Sequence, residues 1–318
     1  MRCSSGLFLL LLISPALAHP SPWPVSVTDA TGQTITLARP PARIVSLIPS
    51  NTEILFALGL GSSVVGVTER CDYPPEARRK PSMGGLTTMS VETIVAARPD
   101  LVLATRDDPA DLIAGLRAVG LPVVVLDPQT VEDIFSAIRT IGTLTGQEAA
   151  VDALIRSLRQ RLDAVAAKVR RVPATQRPAV FIGNPDETAH WTPGPGTFTT
   201  DIIERAGGRN VADDLRRKTW GVYSLEQIVV KNPDVIITTN SPDESPDRVS
   251  QRAQQAANDL TGWRETKAGR ARRVYAVPAE HLLRPGPRAI SGVEDLARCF
   301  YPDLFPQTSA PSGRADRR

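Results

Sequence analysis

The chain has 318 residues, a length that suits two domains, because single hydrophobic cores stop growing at roughly 250 to 300 residues. Its 37 basic and 34 acidic side chains leave a formal charge of +3, too balanced for a nucleic-acid footprint or an acidic tail. A Gly-x-Ser-x-Gly elbow, a P-loop, a His-Glu-x-x-His pair and a dinucleotide fingerprint are all missing from the sequence, which therefore does not read as an enzyme.

Residues 1–18 follow the grammar of an export signal: Arg2, an apolar stretch over 7–13, then Ala16-Leu17-Ala18 as a small-x-small cleavage site. The apolar run is well short of the roughly 20 residues that span a bilayer. Cys3 precedes it, where a lipid-acceptor cysteine does not sit, so a soluble periplasmic protein beginning at His19 is expected. Residues 19–42, rich in Pro and carrying Trp23, read as an arm with a hairpin edge over 33–37. Arg43-Ile44-Val45-Ser46-Leu47-Ile48 is a strand apolar on both faces, as parallel sheets require. Ser50 and Glu53 have capping-box spacing for a helix that runs to Leu58 before Gly59. A strand at 64–67, a loop at 69–75 and a turn through Met83-Gly84-Gly85-Leu86 follow.

The chain then repeats itself. Ser90-Val91-Glu92 opens a helix that ends before Pro99-Asp100 and an apolar strand, and Ser224-Leu225-Glu226 does the same before Pro233-Asp234, 134 positions later. In both, the serine can cap the first turn, the carboxylate suits the positive helix end, and the proline stops the helix. Between the copies lie a strand at 123–126, a helix at 131–142 and a 3.6-period stripe over 147–171 (Val151, Leu154, Ile155, Leu158, Leu162, Val165, Val169), closed by Pro173 and Pro178. A strand at 179–182, a long loop at 183–196 and a helix at 197–206 restart the pattern. After the second copy come a helix at 248–257, a strand at 273–277 and a last helix at 288–300. The expected fold is α/β: two lobes with mostly parallel sheets, residues 19–145 and 173–305, joined by one long rigid interlobe helix at 146–172 and trailed by a disordered tail at 306–318.

Tyr73, His190-Trp191 and Trp220 all fall in loops of the kind that carry ligands at the carboxyl ends of parallel strands. Packing explains each alone; together they point to a cleft. Glu92 and Glu226 read either as dipole partners or as matched anionic knobs for a partner. Arg284, in Arg284-Pro285-Gly286-Pro287-Arg288, reads as a solvated turn or as a guanidinium offered to a ligand. His190 and His281 have no metal spacing to each other, and Cys71 and Cys299, in opposite halves, make no disulfide framework.

The strand-Pro49-Ser50-Asn51-Thr52-Glu53 start, Asp72-Tyr73-Pro74-Pro75 and the two Ser-x-Glu units resemble the helical-backbone, class III substrate-binding proteins of ABC importers over nearly all of the mature chain. The start is shared by haem and iron-siderophore binders; Asp-Tyr-Pro-Pro with Arg-Pro-Gly-Pro-Arg is more similar to the corrinoid binders. The resemblance implies a monomer that holds cobalamin or a related corrinoid between two lobes and delivers it to an importer permease dimer. Haem or a ferric siderophore is the alternative ligand, and a metal-chelatase-like enzyme a remote one. It further implies that Tyr73, Trp220 and Arg284 border the ligand, where loop placement also puts His190 and Trp191, and that Glu92 and Glu226 engage arginines of the permease. Leu86 and Thr105 stand where the corrinoid binders have tryptophans, which thins the aromatic platform. No catalytic residue, resident metal, cofactor or nucleic-acid partner is implied.

Overall fold

A computed structural model describes residues 23–85, 87–217, 219–241 and 243–306; the proposed export signal, Leu86 and nearly all of the polar tail lie outside them. A hairpin of β1 (Val25–Thr28) and β2 (Thr34–Leu37) leads into β3 (Ile44–Ser46), α1 (Pro49–Ala57), β4 (Val64–Val67), α2 (Val91–Ala96), β5 (Leu101–Thr105), α3 (Ala110–Ala118), β6 (Val123–Leu126) and α4 (Val131–Thr145). Strands β3 to β6 form a parallel sheet in the order β4-β3-β5-β6. Helix α5 (Glu148–Val169) crosses to the second half.

There, β7 (Ala179–Ile182), β8 (His190–Pro193), α6 (Phe198–Arg205), β9 (Arg209–Asn210), β10 (Trp220–Tyr223), α7 (Leu225–Lys231), β11 (Val235–Asn240), α8 (Pro246–Asp259), α9 (Lys267–Arg270), β12 (Val274–Pro278), α10 (Ala279–Leu283) and α11 (Ala289–Phe300) follow in order. A second parallel sheet runs β12-β11-β7-β9, while β8 and β10 pair antiparallel as a separate ribbon. The expected architecture of two parallel α/β sheets is present, and the stretch read as a long loop at 183–196 contains β8. Its pairing partner is about 30 positions away, which local periodicity cannot reveal.

The lobes do not have separate cores. One apolar cluster runs from Ile35 and Leu37 through Leu55 and Phe135, along Val151, Ile155, Leu158 and Leu162 of α5, to Val180, Ile237 and Leu296. Helix α5, about 33 Å long at 1.5 Å per residue, is thus a spine with one face buried against both halves. Smaller clusters cover the outer sheet faces, around Val102 and Leu116 in the first half and Phe181, Tyr223 and Trp263 in the second.

Both repeat helices start as their spacing predicts: Ser90 accepts from the Thr93 amide and Ser224 from that of Gln227. The capping box expected at Ser50 and Glu53 does not form. Pro49, whose fixed φ suits the first helical position, starts the helix two residues early with Ile48 as an uncapped N-cap. Ser50 then lies inside the first turn, and the Glu53 side chain is released to a distant partner.

Candidate functional site

The β8–β10 ribbon sorts its side chains by alternation. Trp191 is opposite Val222 and Pro193 opposite Trp220, while Thr192 faces Gly221 and His190 faces Tyr223. One face therefore carries Trp191, Val222 and Trp220, which are 54%, 47% and 39% exposed. The other carries His190, Thr192 and Tyr223, all buried. Tyr223 donates its hydroxyl to the Asp214 carboxylate, and burial with that carboxylate raises its phenol pKa. His190 stands edge-on to Trp263 with ring centroids 5.1 Å apart, and its Nδ1 lies 3.2 Å from the Asn184 carbonyl oxygen. Trp191 and Trp220 are thus open on the outer face of the ribbon, whereas strand alternation turns His190 into the core.

On the first lobe, Tyr73 is 44% exposed and sits between two ion pairs that cross the lobes. Arg288 donates to both Glu53 oxygens, at 2.7 and 3.1 Å, and its guanidinium lies 4.1 Å over the Tyr73 ring, a cation–π contact. Arg284 donates to the Asp72 carboxylate at 2.5 and 3.2 Å and comes within 3.9 Å of Glu53. Glu280 approaches Arg288 at 3.4 Å through one oxygen, and its Oε2 is buried without a hydrogen-bond partner. Three carboxylates thus surround two guanidiniums. Burial pushes the Glu53 carboxyl up despite Arg288; burial also acts on Asp72, but the Arg284 hydrogen bonds and charge outweigh it and hold that carboxyl below its usual range.

The arginine expected to stand free for a ligand is therefore already engaged. Arg288 and Glu53, which sequence reasoning gave no such role, form a second two-bond interlobe pair, 235 positions apart. Arg288 closes the Arg-Pro-Gly-Pro-Arg turn, which was a signal; Glu53 was hidden by its capping-box spacing.

Thr105, at the carboxyl end of β5, is buried. Its amide donates to Asp108 at 2.8 Å, whose carboxyl is pushed up to about 6 by burial. Leu86 lies outside the described residues. His281 bonds Asp295 at 2.8 Å, far in role from His190, and among the described residues no three His, Cys, Asp or Glu side chains gather as a metal site. Cys71 and Cys299 are free thiols; the Thr52 hydroxyl donates to the Cys71 Sγ at 3.1 Å. Glu92 and Glu226 are exposed on the first turns of α2 and α7. Hydrogen bonds from its own amide and from Ser90 lower the Glu92 pKa, and those from Ser224 and its own amide lower that of Glu226. No helix among the described residues is long and apolar enough to cross a membrane.

Against known proteins, the family model described as "Periplasmic binding protein" matches residues 44–281. The chain is 36% identical over 287 residues to an uncharacterized ABC transporter substrate-binding lipoprotein, YvrC, of Bacillus subtilis, covering 89% of this chain and 87% of that one. It is 32% identical over 283 residues to a cobalamin-binding protein of Halobacterium salinarum, covering 88% and 74%. A solved periplasmic heme-binding protein, RhuT from Roseiflexus sp. RS-1, superposes with a TM-score of 0.70 at 29% identity, over 82% of this chain and 98% of that one.

Proposed function

The chain belongs to the periplasmic binding protein family, as a substrate-binding protein of the ABC transporter type, and from that premise we propose that it captures cobalamin or a related corrinoid between its lobes. The observation that carries this reading is the charge state of the cleft. Arg284 and Arg288 are both engaged by carboxylates, Asp72 and Glu53, of the opposite lobe, and Glu280 adds a third carboxylate with an unpartnered oxygen. A cleft with that balance repels a porphyrin bearing two propionates and suits a macrocycle rimmed by neutral amides. The indoles of Trp191 and Trp220 and the Tyr73 ring supply apolar surface for such a macrocycle. The cobalamin-binding name of the Halobacterium relative points the same way.

Export to the periplasm follows from the leader at 1–18, and delivery to a permease dimer through Glu92 and Glu226 completes the cycle, with no chemistry performed on the ligand. A second reading, a haem or ferric chelate, is favoured by one feature. An exposed tyrosine at the cleft, Tyr73 under Arg288, offers an oxygen donor of a kind that haem iron takes, and the RhuT neighbour is named for haem.

Titration of the purified mature protein separates the two. Cyanocobalamin is expected to bind with a micromolar or tighter Kd, and haem to give no Soret shift. Tight haem binding with a tyrosinate-type spectrum and no cobalamin binding would replace the first reading with the second.

A further inference from the structure

Ten large apolar side chains stand exposed among the described residues, and nine of them fall into two groups. Tyr73, Trp191, Trp220, Val222 and Leu283 border the ion-pair cluster and the ribbon. Val95, Val119, Val230 and Leu260 do not. They lie on the two helices that carry the repeat's glutamates and at the ends of α3 and α8.

Val95 follows Glu92 by three residues on α2 and Val230 follows Glu226 by four on α7, separations that place side chains on one helix face. The residue before each glutamate is seated against a glycine of a neighbouring element. A Cβ on Gly115 would come within 2.8 Å of Val91, and one on Gly262 within 2.9 Å of Leu225, so each contact depends on a bare backbone. Val119 closes α3 one turn beyond Gly115, and Leu260 closes α8 two residues before Gly262. Each lobe thus presents one carboxylate with two exposed aliphatic side chains close by, and the same plan occurs twice. Singly scattered apolar residues on a surface need no explanation; a repeated grouping does.

Exposed ion pairs are screened by water and salt and add little affinity. They set orientation and encounter rate, while apolar area removed from water lengthens the bound state. We propose that Val230 with Leu260, and Val95 with Val119, are the apolar anchors of the docking face. They fit a two-fold permease dimer that offers, at each of two equivalent sites, a basic side chain beside an apolar hollow. The inference rests on the importer reading above, and it adds an asymmetry. Val230 is 82% exposed and Val95 39%, so the second lobe is the stronger anchor.

The test measures binding of cobalamin-loaded protein to its importer in nanodiscs. Val230→Ser is expected to weaken binding about tenfold, the ratio for one valine no longer buried, and Val95→Ser about threefold. Cobalamin affinity should be unchanged in both, and the thermal midpoint unchanged for Val230→Ser, whose side chain is 82% exposed; Val95 is partly packed, so Val95→Ser is compared below its own midpoint. The charge reversal Glu92→Lys/Glu226→Lys is expected to weaken binding by about a hundredfold or more through like-charge contact. Loss on charge reversal with no effect of Val230→Ser would overturn the anchors alone. Wild-type binding by both the charge-reversed protein and Val230→Ser would remove the docking face altogether. Sedimentation gives a third outcome: a wild-type dimer that Val230→Ser dissociates would assign the face to self-association and also overturn the proposal.

Discussion

Helices α2 and α7 begin with the same serine and carry the same exposed glutamate, yet they are reached by different routes. The first follows a turn in which the Gly85 amide donates to the Thr88 hydroxyl at 2.8 Å. The second follows β10, a strand whose outward face bears Trp220 and Val222. Downstream they match again. Asp100 accepts from the Ala42 and Arg43 amides and Asp234 from the Ala179 amide, so each Pro-Asp ties its strand to the start of the neighbouring strand. The repeated part builds the frame, and the unrepeated approach to it supplies the aromatic surface. Across the cleft the supply is also unequal: the first lobe contributes two carboxylates and one phenol, the second two guanidiniums, two indoles and the Glu280 carboxylate.

The comparison of lobes would break most visibly if they were separable units. The shared core along α5 and the Arg288–Glu53 pair both argue that they unfold together. Arg288→Ala leaves a carboxylate that is 2% exposed without its partner, and such losses cost about 3 to 5 kcal/mol. The expected result is one cooperative denaturant transition displaced to a lower midpoint with an unchanged slope. The double replacement Arg288→Met with Glu53→Gln should recover part of the loss, because no buried charge is then left over. Two transitions in the wild type would show the lobes to be independent and the pair to be decoration.

Unequal aromatic supply sharpens the comparison at the level of binding. The first lobe offers Tyr73, braced by Arg288, and the second offers two indoles on one strand ribbon. Tyr73→Ala is therefore expected to weaken cyanocobalamin binding about thirtyfold and Trp220→Ala about tenfold, since Trp191 remains beside it. Isothermal titration measures both. If neither variant binds more weakly, the ligand lies elsewhere.

How much of this was legible depended on the range of the interaction. The parallel strands, the α5 stripe and both serine caps are written in patterns spanning a few residues, and the structure contains them. The ribbon is not, because His190-Trp191-Thr192-Pro193 becomes a strand only through a partner across α6. The engagement of Arg284 was also hidden. Asp72 lies 212 positions away, and nothing in Arg-Pro-Gly-Pro-Arg says whether its guanidinium is free or paired. Glu53 shows the opposite failure, in which a locally valid capping signal was overridden when Pro49 took the first helical position.

The smallest effect tests the repeat itself. At α7 the cap is reciprocal: Ser224 accepts from the Gln227 amide, and the Gln227 side chain accepts in return from the Ser224 amide. At α2 the position of Gln227 is held by Thr93, which bonds the Ser90 hydroxyl but leaves the Ser90 amide outside the exchange. Removing an N-cap hydroxyl costs about 0.5 to 2 kcal/mol, and the loss is greater where two bonds depend on one geometry. Ser224→Ala is expected to lower stability by about 1.5 kcal/mol and Ser90→Ala by about 0.7 kcal/mol, read from denaturant midpoints at constant slope. Both helices are short, with seven and six residues, so neither propagates far from its first turn and the cap is a large share of what holds it. Equal losses would mean that the Gln227 return bond contributes nothing, and that the two copies differ only in what surrounds them.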